Sequence, residues 1–329
     1  MSHRKIIFSL ISSLLLFLMP MYPAIGQANE KPWWPHPLWG PDDEAGASNW
    51  ISPEKILSVL PLIKTGKVYE LGHMYEPSMP MLGQRSYSLE TQGPGGPMGK
   101  NSILVNQEVI TAHLGQVGTQ FDGPGHVGKR IENEDGTTKD VFYNGIMWEE
   151  MQSPHGLKKL GVEHIKPYIT RGILIDIAAY KNVNTIAGGY EVTLVDVRGA
   201  LKRQNMTEDD IEPGDAIFFN YGWSKQWHNP EKYNNNSPGI GLEVAQWVIE
   251  RQACLVGSDG IGTEVMTNPN PELMVPVHQE LIMKHGIFNV ENMVFDELIE
   301  DQGFEFLFIL TPIRLKGATG SPCRPIAIR

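Results

Sequence analysis

The stretch Gln116-Val117-Gly118-Thr119-Gln120-Phe121-Asp122-Gly123-Pro124-Gly125-His126 places more candidate metal ligands at one spacing than any other part of the chain. In an extended strand, side chains alternate between two faces, so Gln116, Gln120 and Asp122 would point the same way. A helix would align the two glutamines but turn Asp122 off their face, and the glycines and the proline disfavour a helix. We therefore predict a strand that presents these three side chains together.

Glycine and proline residues set the surroundings of this predicted strand. Gly118 lies on the same face between the two glutamines and would leave the space that a bound ion needs. The run Gly123-Pro124-Gly125 predicts a turn, and such a turn can direct His126 back toward the strand. A plainer interpretation stays open, because Asp is a common turn residue and a lone histidine is more often solvated or hydrogen-bonded than catalytic.

The first 28 residues have the three-part layout of a secretory signal peptide. Arg4 and Lys5 precede an apolar run over residues 6–18, and small residues follow at 24–28. The run is shorter than the ~20 residues of a membrane-spanning helix, so we expect no stable membrane anchor. We predict a signal peptide over residues 1–28, a periplasmic or secreted protein, and a single domain over 29–329, since no repeat or linker-like stretch divides the rest.

The rest of the chain is acidic. The formal net charge is −11, and removing Arg4 and Lys5 with the signal peptide makes it −13, from 25 basic and 38 acidic residues. An acidic exported protein is a poor partner for nucleic acids or anionic membrane surfaces, so we expect a small-molecule substrate instead. Cys254 and Cys323 could pair in an oxidising compartment, but the apolar run around Cys254 favours a buried thiol, and the pairing stays open.

Apolar segments with strand and helix periodicity alternate along the chain. They predict strands at residues 68–73, 102–112, 172–177, 216–221, 253–257 and 287–290, and helices at 52–64, 193–203, 242–252 and 276–286. The pair Thr193 and Asp196 is a helix-start signal. Residues 76–99 are expected to form a long loop, and residues 127–139 an exposed polar insertion. The alternation predicts a mixed α/β fold rather than an all-β one.

A second group of candidate ligands lies in the last quarter of the chain. His278 falls at the start of a predicted helix, and Glu291 follows the predicted strand at 287–290. A buried imidazole and the carboxylates of Asp122 and Glu291 could together offset the charge of a divalent cation. Spacing alone leaves open whether the three side chains meet.

With these residues in view, the chain resembles the cyclase-like metal-dependent hydrolase family, which includes bacterial kynurenine formamidase and isatin hydrolase. The family pattern His-x-Gly-Thr-His-x-Asp-x-Pro-x-His lies on residues 116–126 position for position, with glutamine in place of the first two histidines. Further landmarks are Trp39-Gly40-Pro41-Asp42-Asp43 with Asn49, Arg171-Gly172-Ile173-Leu174-Ile175-Asp176, Pro213-Gly214-Asp215, Tyr221-Gly222-Trp223, Gly257-Ser258-Asp259 and Gly317-Ala318-Thr319-Gly320-Ser321-Pro322. The resemblance implies a mixed, barrel-like sheet with flanking helices and a homodimer or homotetramer.

Carried over position by position, the resemblance implies a metal ligand at Asp122, later ligands at His278 and Glu291, and a general acid/base at His126. Gln116 and Gln120 remain candidate ligands at positions where the family has histidines. An amide oxygen is a weaker and harder ligand than imidazole, so we expect one ion, Mn²⁺ or Zn²⁺, rather than a tight two-zinc centre.

The resemblance implies hydrolysis of an amide, formamide or lactam C–N bond, with a metal-activated water and a proton transfer through His126. A lyase or dehydratase of the same fold is an alternative, and so is a non-catalytic exported binding protein, which the two glutamines suggest. Trp33, Trp34 and Tyr75 weakly favour an aromatic substrate, although core or interface packing explains them equally well.

Three other residues near the motif are assigned no catalytic role. Thr119 and Phe121 alternate with the candidate ligands and are expected to face the core. His113 stands at an odd offset from Gln116, on the opposite face of an unbroken strand, so we do not expect it to replace a missing imidazole.

Overall fold

Nine strands form one mixed sheet in the computed structural model, which describes residues 32–133 and 135–329. In chain order the strands are β1 (Val68–Glu70), β2 (Tyr87–Met98), β3 (Ile103–Ala112), β4 (Gln120–Asp122), β5 (Lys129–Glu132), β6 (Thr138–Val141), β7 (Tyr168–Asp176), β8 (Glu191–Val192), β9 (Ala216–Asn220), β10 (Gly239–Ile240), β11 (Leu255–Ser258), β12 (Phe288–Glu291), β13 (Glu305–Leu310), β14 (Gly320–Pro322) and β15 (Ile326–Ile328). The strands β2 and β3, β5 and β6, and β8 and β10 form three separate pairs.

The helices are short and flank the sheet. They are α1 (Pro53–Val59), α2 (Trp148–Met151), α3 (Ile177–Tyr180), α4 (Leu194–Arg203), α5 (Pro230–Tyr233), α6 (Leu242–Glu250), α7 (Pro276–His278) and α8 (Asp296–Glu300), and the π-helix Gln279–Lys284 continues α7. Single 3-10 turns lie at Gly46–Trp50, Leu60–Leu62, Tyr143–Gly145, Val162–His164, Glu208–Asp210 and Trp223–Gln226. No helix in the described part of the chain has the length and apolar character to cross a membrane.

Four parallel strands in the order β7-β9-β11-β12 occupy the middle of the sheet. Antiparallel strands extend it on both sides, with β13, β15 and β1 beyond β7, and β4 and β14 beyond β12. The sheet curls into a half-barrel. This architecture confirms the predicted mixed α/β fold with a barrel-like sheet and flanking helices.

The central strands are the ones that the sequence identifies most clearly, because both of their faces are buried. Every residue of β9, β11 and β12 is buried, and such strands appear in sequence as nearly unbroken apolar runs. Helix α4 begins where predicted, with a capping box in which Thr193 and Asp196 each bond the other's backbone N–H. The predicted strands and helices of this region are therefore confirmed to within a few residues.

The expected long loop at residues 76–99 is wrong for its second half. Tyr87–Met98 is a strand that pairs with Ile103–Ala112 in a long antiparallel hairpin. The sequence hides this strand because it contains two prolines and three glycines, which weaken a strand in any sheet interior. The hairpin tolerates them since it has only two strands, and its register shifts after Gln92 and again after Gly95. The expected polar insertion after His126 is exposed or half-buried at its described positions, and part of it forms the β5–β6 hairpin.

The prediction of one strand from Gln116 to Asp122 is also wrong. Strand β3 ends at Ala112, the chain turns, and β4 begins only at Gln120. Gly118 has φ +64°, a conformation that interrupts any strand, and a Cβ there would meet the Tyr75 ring at 2.7 Å. Gly118 therefore makes room for an aromatic ring and not for an ion.

A close backbone approach nevertheless brings Gln116 back beside β4. A Cβ on Gly115 would lie 2.6 Å from the Gly320 carbonyl, and a Cβ on Gly320 would lie 2.9 Å from Gln116 Nε2. The two glycines allow the turn before β4 to pass against β14, which pairs with β4.

Residues 1–28 lie outside the described residues, so the signal peptide stays a prediction. Residues Trp33–Arg329 form one compact unit. Cys254 and Cys323 are both buried and free, and Cys254 lies in the core as the sequence predicts.

A buried carboxylate ties helix α1 to the centre of the sheet. Asp215 is fully buried just before β9, and its oxygens accept from Lys55 Nζ at 2.7 Å and from Arg171 Nη2 at 2.6 Å. The backbone N–H of Glu212 donates to the same carboxylate at 2.9 Å. Because Lys55 and Arg171 come from α1 and β7, one side chain joins three elements.

Replacing Asp215 by alanine should lower the free energy of unfolding by about 3 kcal/mol, because two largely buried cations would lose their buried anion and keep only the exposed Glu212 and Glu305. Equilibrium urea unfolding followed by tryptophan fluorescence measures the change. The matched control is Asp209→Ala, whose side chain is 93% exposed and 3.8 Å from Arg251, and it should change stability by less than about 0.5 kcal/mol. Equal effects of the two substitutions would contradict the structural role of Asp215.

Candidate active site

The pairing of β4 with β12 builds one wall of the site. Gln120 lies directly opposite Glu291, and Asp122 directly opposite Asn289. Residues that face each other across antiparallel strands, and those two positions further along, share one face of the sheet, so all four polar side chains lie together. Phe121, between the two β4 side chains, is fully buried in the core as predicted.

Thr119, just before β4, also has the structural role that the sequence suggests. Its hydroxyl donates to the Asn292 carbonyl at 2.6 Å and accepts from the backbone N–H of His73 at 2.8 Å. His113 lies on the exposed end of β3, where its Nδ1 accepts from the backbone N–H of Ser86 at 3.1 Å.

Helix α7 supplies the imidazole. Glu264, which is fully buried, accepts from the backbone N–H groups of Val277 and His278 and lies 2.5 Å from His278 Nδ1. With Nδ1 held by this carboxylate, the other ring nitrogen, Nε2, faces the β4–β12 wall. It lies 3.1 Å from Glu291 Oε1 and 3.8 Å from Asp122 Oδ2.

Asp122, His278 and Glu291 form a compact ligand group. One ligand atom from each lies within 4.8 Å of the others, and all three residues are buried. Asp122 Oδ2 and Gln120 Oε1 are buried acceptors with no hydrogen-bond partner among the described residues, and the amide of Asn289 has none either. A bound cation would satisfy Asp122 Oδ2, and Gln120 Oε1 as well after a half-turn of its amide, so the residues present fit a single divalent ion.

Charge in the group is unbalanced without such an ion. Burial, followed by the neighbouring Asp122 charge, raises the pKa of Glu291 to about 7 against the opposing effect of His278. Burial disfavours the charged form of His278, but its hydrogen bonds to Glu264 and Glu291 prevail and hold its pKa well above the ordinary value. The two shifts together are those expected where several carboxylates are buried around one imidazole.

Gln120 presents its amide to both carboxylates. Its Nε2 donates to Asp122 Oδ1 at 3.4 Å and to Glu291 Oε2 at 3.3 Å. A half-turn of the amide would exchange its nitrogen and oxygen and place Oε1 beside the carboxylates, which is favourable only with a cation between them. Gln120 can therefore serve as a ligand by that half-turn, and its role stays a prediction.

Gln116 makes a different set of contacts. Its Nε2 donates to Asp122 Oδ1 at 3.2 Å and lies 3.3 Å from His126 Nδ1, whereas its Oε1 accepts from Arg85 Nη2 at 3.1 Å. Its oxygen is thus engaged away from the ligand group. Coordination by Gln116 stays a prediction, and it would require the amide to release Arg85.

His126 lies at the edge of the group, as the Gly-Pro-Gly turn predicts. Its backbone N–H donates to the Gly123 carbonyl at 3.1 Å, and its Nε2 lies 3.9 Å from Asp122 Oδ1. The side chain is 23% exposed. Burial lowers the pKa of His126, and the charges of His278 and Arg85 lower it further against the opposing effect of Asp122.

A groove of about 370 Å³ opens beside His126. Phe142 and Trp148 line it with rings 6.0 Å apart, and Lys129 and Arg130 add basic side chains. Its volume suits a small organic molecule. A larger depression of about 700 Å³ around Tyr69 and Arg329 contains none of the candidate ligands, so we place the chemistry at the smaller groove.

The aromatic residues singled out from the sequence have packing roles. The Tyr75 hydroxyl donates to the Thr119 carbonyl and its ring covers Gly118. Trp34 packs on Gly145, and its ring stands edge-on to Trp33 with centroids 4.7 Å apart.

Sequence reasoning missed Glu264 and Arg85. Neither belongs to a recognisable motif, and each reaches the site from a turn or loop whose path one sequence does not reveal. An acidic residue 14 positions before His278 carries no spacing signal, because the loop between them sets the contact.

Fold and site together define an α/β protein with a buried Asp-His-Glu group that can hold a divalent cation. Residues 69–265 match the model of the Cyclase family, described as “Putative cyclase”. The match covers more than half of the chain, which therefore belongs to this family, and it confirms the resemblance seen in the sequence.

Solved structures share the fold. A crystal structure described as a novel cyclase is 28% identical, with a TM-score of 0.76 over 88% of this chain and 96% of the other. Isatin hydrolase A from Labrenzia aggregata, bound to benzyl benzoate, is 19% identical with a TM-score of 0.56, covering 79% and 93%. An isatin hydrolase bound to the product analogue thioisatinate is 17% identical with a TM-score of 0.55, covering 84% and 98%. No curated protein sequence matches the chain significantly.

The buried Glu264 should be required for metal affinity because it fixes the ring of His278. Glu264→Gln keeps the side-chain size but removes the charge, and we expect metal affinity to fall about 10- to 100-fold. Titration of chelator-treated protein with Mn²⁺ and Zn²⁺ measures the change. Glu272→Gln, an exposed position in the same loop, is the control and should bind metal as the wild type does. Unchanged affinity in Glu264→Gln would remove Glu264 from the site.

Proposed function

We propose that the protein is a metal-dependent hydrolase that cleaves an amide, formamide or lactam C–N bond in a small substrate. The observation that carries the proposal is the convergence of Asp122, His278 and Glu291 with His126 beside them at the edge of a groove. Ligands from distant segments rarely meet at a buried point without a function, since buried carboxylates that lack a cation are unfavourable.

The residues of the site have different roles in the proposed reaction. A divalent ion, once bound, would polarise a carbonyl and activate water. Asp122, His278 and Glu291 would hold it, with Gln120 as a further oxygen ligand, and Glu264 would keep His278 Nε2 directed at it. His126 lies between this point and the groove, where it can accept a proton from water and deliver one to the departing nitrogen.

The donor set supports one ion of Mn²⁺ or Zn²⁺. Two carboxylates with one imidazole suit either metal, and an amide oxygen favours a harder ion such as Mn²⁺. A second ion has weak support, because the Gln116 oxygen already accepts from a guanidinium.

The aromatic groove supports an aromatic substrate. Phe142 and Trp148 present tilted rings next to His126, and such rings favour stacking or edge contacts with a planar ligand. Isatin hydrolases, whose fold this chain shares, are one reason to include isatin among the compounds to test.

Protein purified without chelator should contain about one divalent ion per chain and should hydrolyse at least one of isatin and N-formylkynurenine. Asp122→Ala should lose both metal and activity, because it removes a charged ligand. His126→Ala should keep the metal but lose about 10²- to 10⁴-fold in kcat. Elemental analysis and product chromatography measure these effects, and His155→Ala, at an exposed histidine, serves as the control.

The outcomes separate the alternatives. Metal without cleavage of any amide would favour a lyase or dehydratase of the same fold. Absence of metal under every loading condition would favour a binding protein. Full activity in His126→Ala would remove the proposed proton transfer.

We also propose that the protein is exported and assembles as a homodimer or homotetramer. The β2–β3 hairpin supports assembly, because a two-stranded ribbon is marginally stable alone and this one exposes apolar side chains such as Leu89, Leu104, Val109 and Ile110.

Protein from the periplasmic fraction should begin near residue 29, and light scattering should give two or four chains. The double variant Leu104→Lys, Ile110→Lys should lower that mass, and a wild-type monomer would contradict the proposal.

A further inference from the structure

The guanidinium of Arg85 lies beside the site and has no carboxylate partner among the described residues. It is half-buried, its Nη2 donates to the neutral Gln116 Oε1 at 3.1 Å, and it forms no ion pair among the described residues. As a guanidinium is withdrawn from water, its five N–H donors need acceptors and its charge favours an anion. The remaining N–H donors of the Arg85 guanidinium are therefore available to bind an anion.

The position of Arg85 is fixed from both ends. Its backbone N–H donates to the Leu82 carbonyl at 3.3 Å in the turn that precedes β2. Its side chain is held by Gln116, whose amide nitrogen in turn donates to Asp122 Oδ1 at 3.2 Å. The guanidinium is thus preorganised, which reduces the entropy lost when a ligand binds.

The Gln116 side chain limits which part of a substrate Arg85 could contact. The Gln116 amide stands between the guanidinium and Asp122, because its Oε1 accepts from Arg85 while its Nε2 donates to Asp122. It remains close enough for its charge to affect the pKa of His126 and Glu291. A substituent on the substrate, and not the reacting carbonyl, fits this separation.

We propose that Arg85 binds a carboxylate of the substrate, so that the site takes small amides, formamides or lactams that carry a negative charge next to the scissile bond. The planar fork of a guanidinium matches a carboxylate through two parallel hydrogen bonds. Arg130 in the groove is already paired with Asp140, whereas the Arg85 guanidinium donates only to a neutral amide among the described residues, so Arg85 is the arginine beside the site that can take a carboxylate. This inference rests on the proposed hydrolase function and specifies its substrate class.

The kinetic test uses two formamides that differ by one carboxylate, formanilide and 2-formamidobenzoate. Arg85→Gln should lower the ratio of their kcat/KM values, charged over neutral, by about 10- to 100-fold, the usual loss for a charged hydrogen-bonded pair. Arg85→Lys keeps the charge without the fork and should recover part of the preference. Arg203→Gln, at an exposed arginine of α4, should leave the ratio unchanged. An unchanged ratio in Arg85→Gln overturns the proposal.

A second test measures ligand binding in the absence of a reaction. Benzoate and benzamide are titrated by calorimetry into the protein as purified and again after EDTA treatment. The wild type should prefer benzoate in both states, and Arg85→Gln should lose about 10- to 100-fold in benzoate affinity in both. Benzoate binding that vanishes with EDTA and is indifferent to Arg85→Gln would place the carboxylate on the metal and overturn the proposal.

The two tests distinguish the failures. Arg85-dependent benzoate binding in a protein that cleaves no amide would refute the hydrolase function and still support the anion site. Cleavage of both formamides with an Arg85-independent ratio would support the hydrolase and refute the anion site. Circular dichroism of Arg85→Gln and Arg85→Lys confirms that each variant is folded.

Discussion

The site depends on how the repulsion between two buried carboxylates is offset. The antiparallel pairing of β4 with β12 places Asp122 and Glu291 on one face, and neither residue is more than 4% exposed. Two such charges in a medium of low polarity repel strongly unless a cation lies between them. Despite its burial, the hydrogen bonds of His278 to Glu264 and Glu291 hold its pKa high, so that it can supply one positive charge in the absence of metal.

The scaffold holds these charges in place because its central strands cannot shift. Strand β12 ends the parallel, fully buried part of the sheet, and a slip of one residue would exchange Glu291 and Val290 between the polar face and the core. Strand β4 joins β12 from the other side, with its Phe121 side chain packed against Phe288. Core packing therefore sets the register that brings the carboxylates together.

The sequence predicts best those features that depend on local pattern. Buried strands such as Ala216–Asn220 are visible as apolar runs, and Thr193 marks the start of α4 through its cap. Motif spacing and the family resemblance identified Asp122, His278 and Glu291 as candidate ligands, and the fold brings them together. The turn at Gly118 could not be predicted from the sequence. Its positive φ accompanies the packing of the Tyr75 ring against it, which is a tertiary contact. Glu264 and Arg85 approach through loops, whose paths follow from tertiary contacts and not from periodicity.

Gln116 shows why an amide suits this position. Its oxygen accepts from Arg85 while its nitrogen donates to Asp122, so one neutral side chain links a cation to an anion. An amide keeps this assignment of donor and acceptor at every physiological pH. An imidazole could protonate and lose its acceptor, or direct its lone pair to a metal, and in either case a neighbouring guanidinium would face a positive charge. The glutamine is therefore what allows an arginine to stand so close to a metal-binding group.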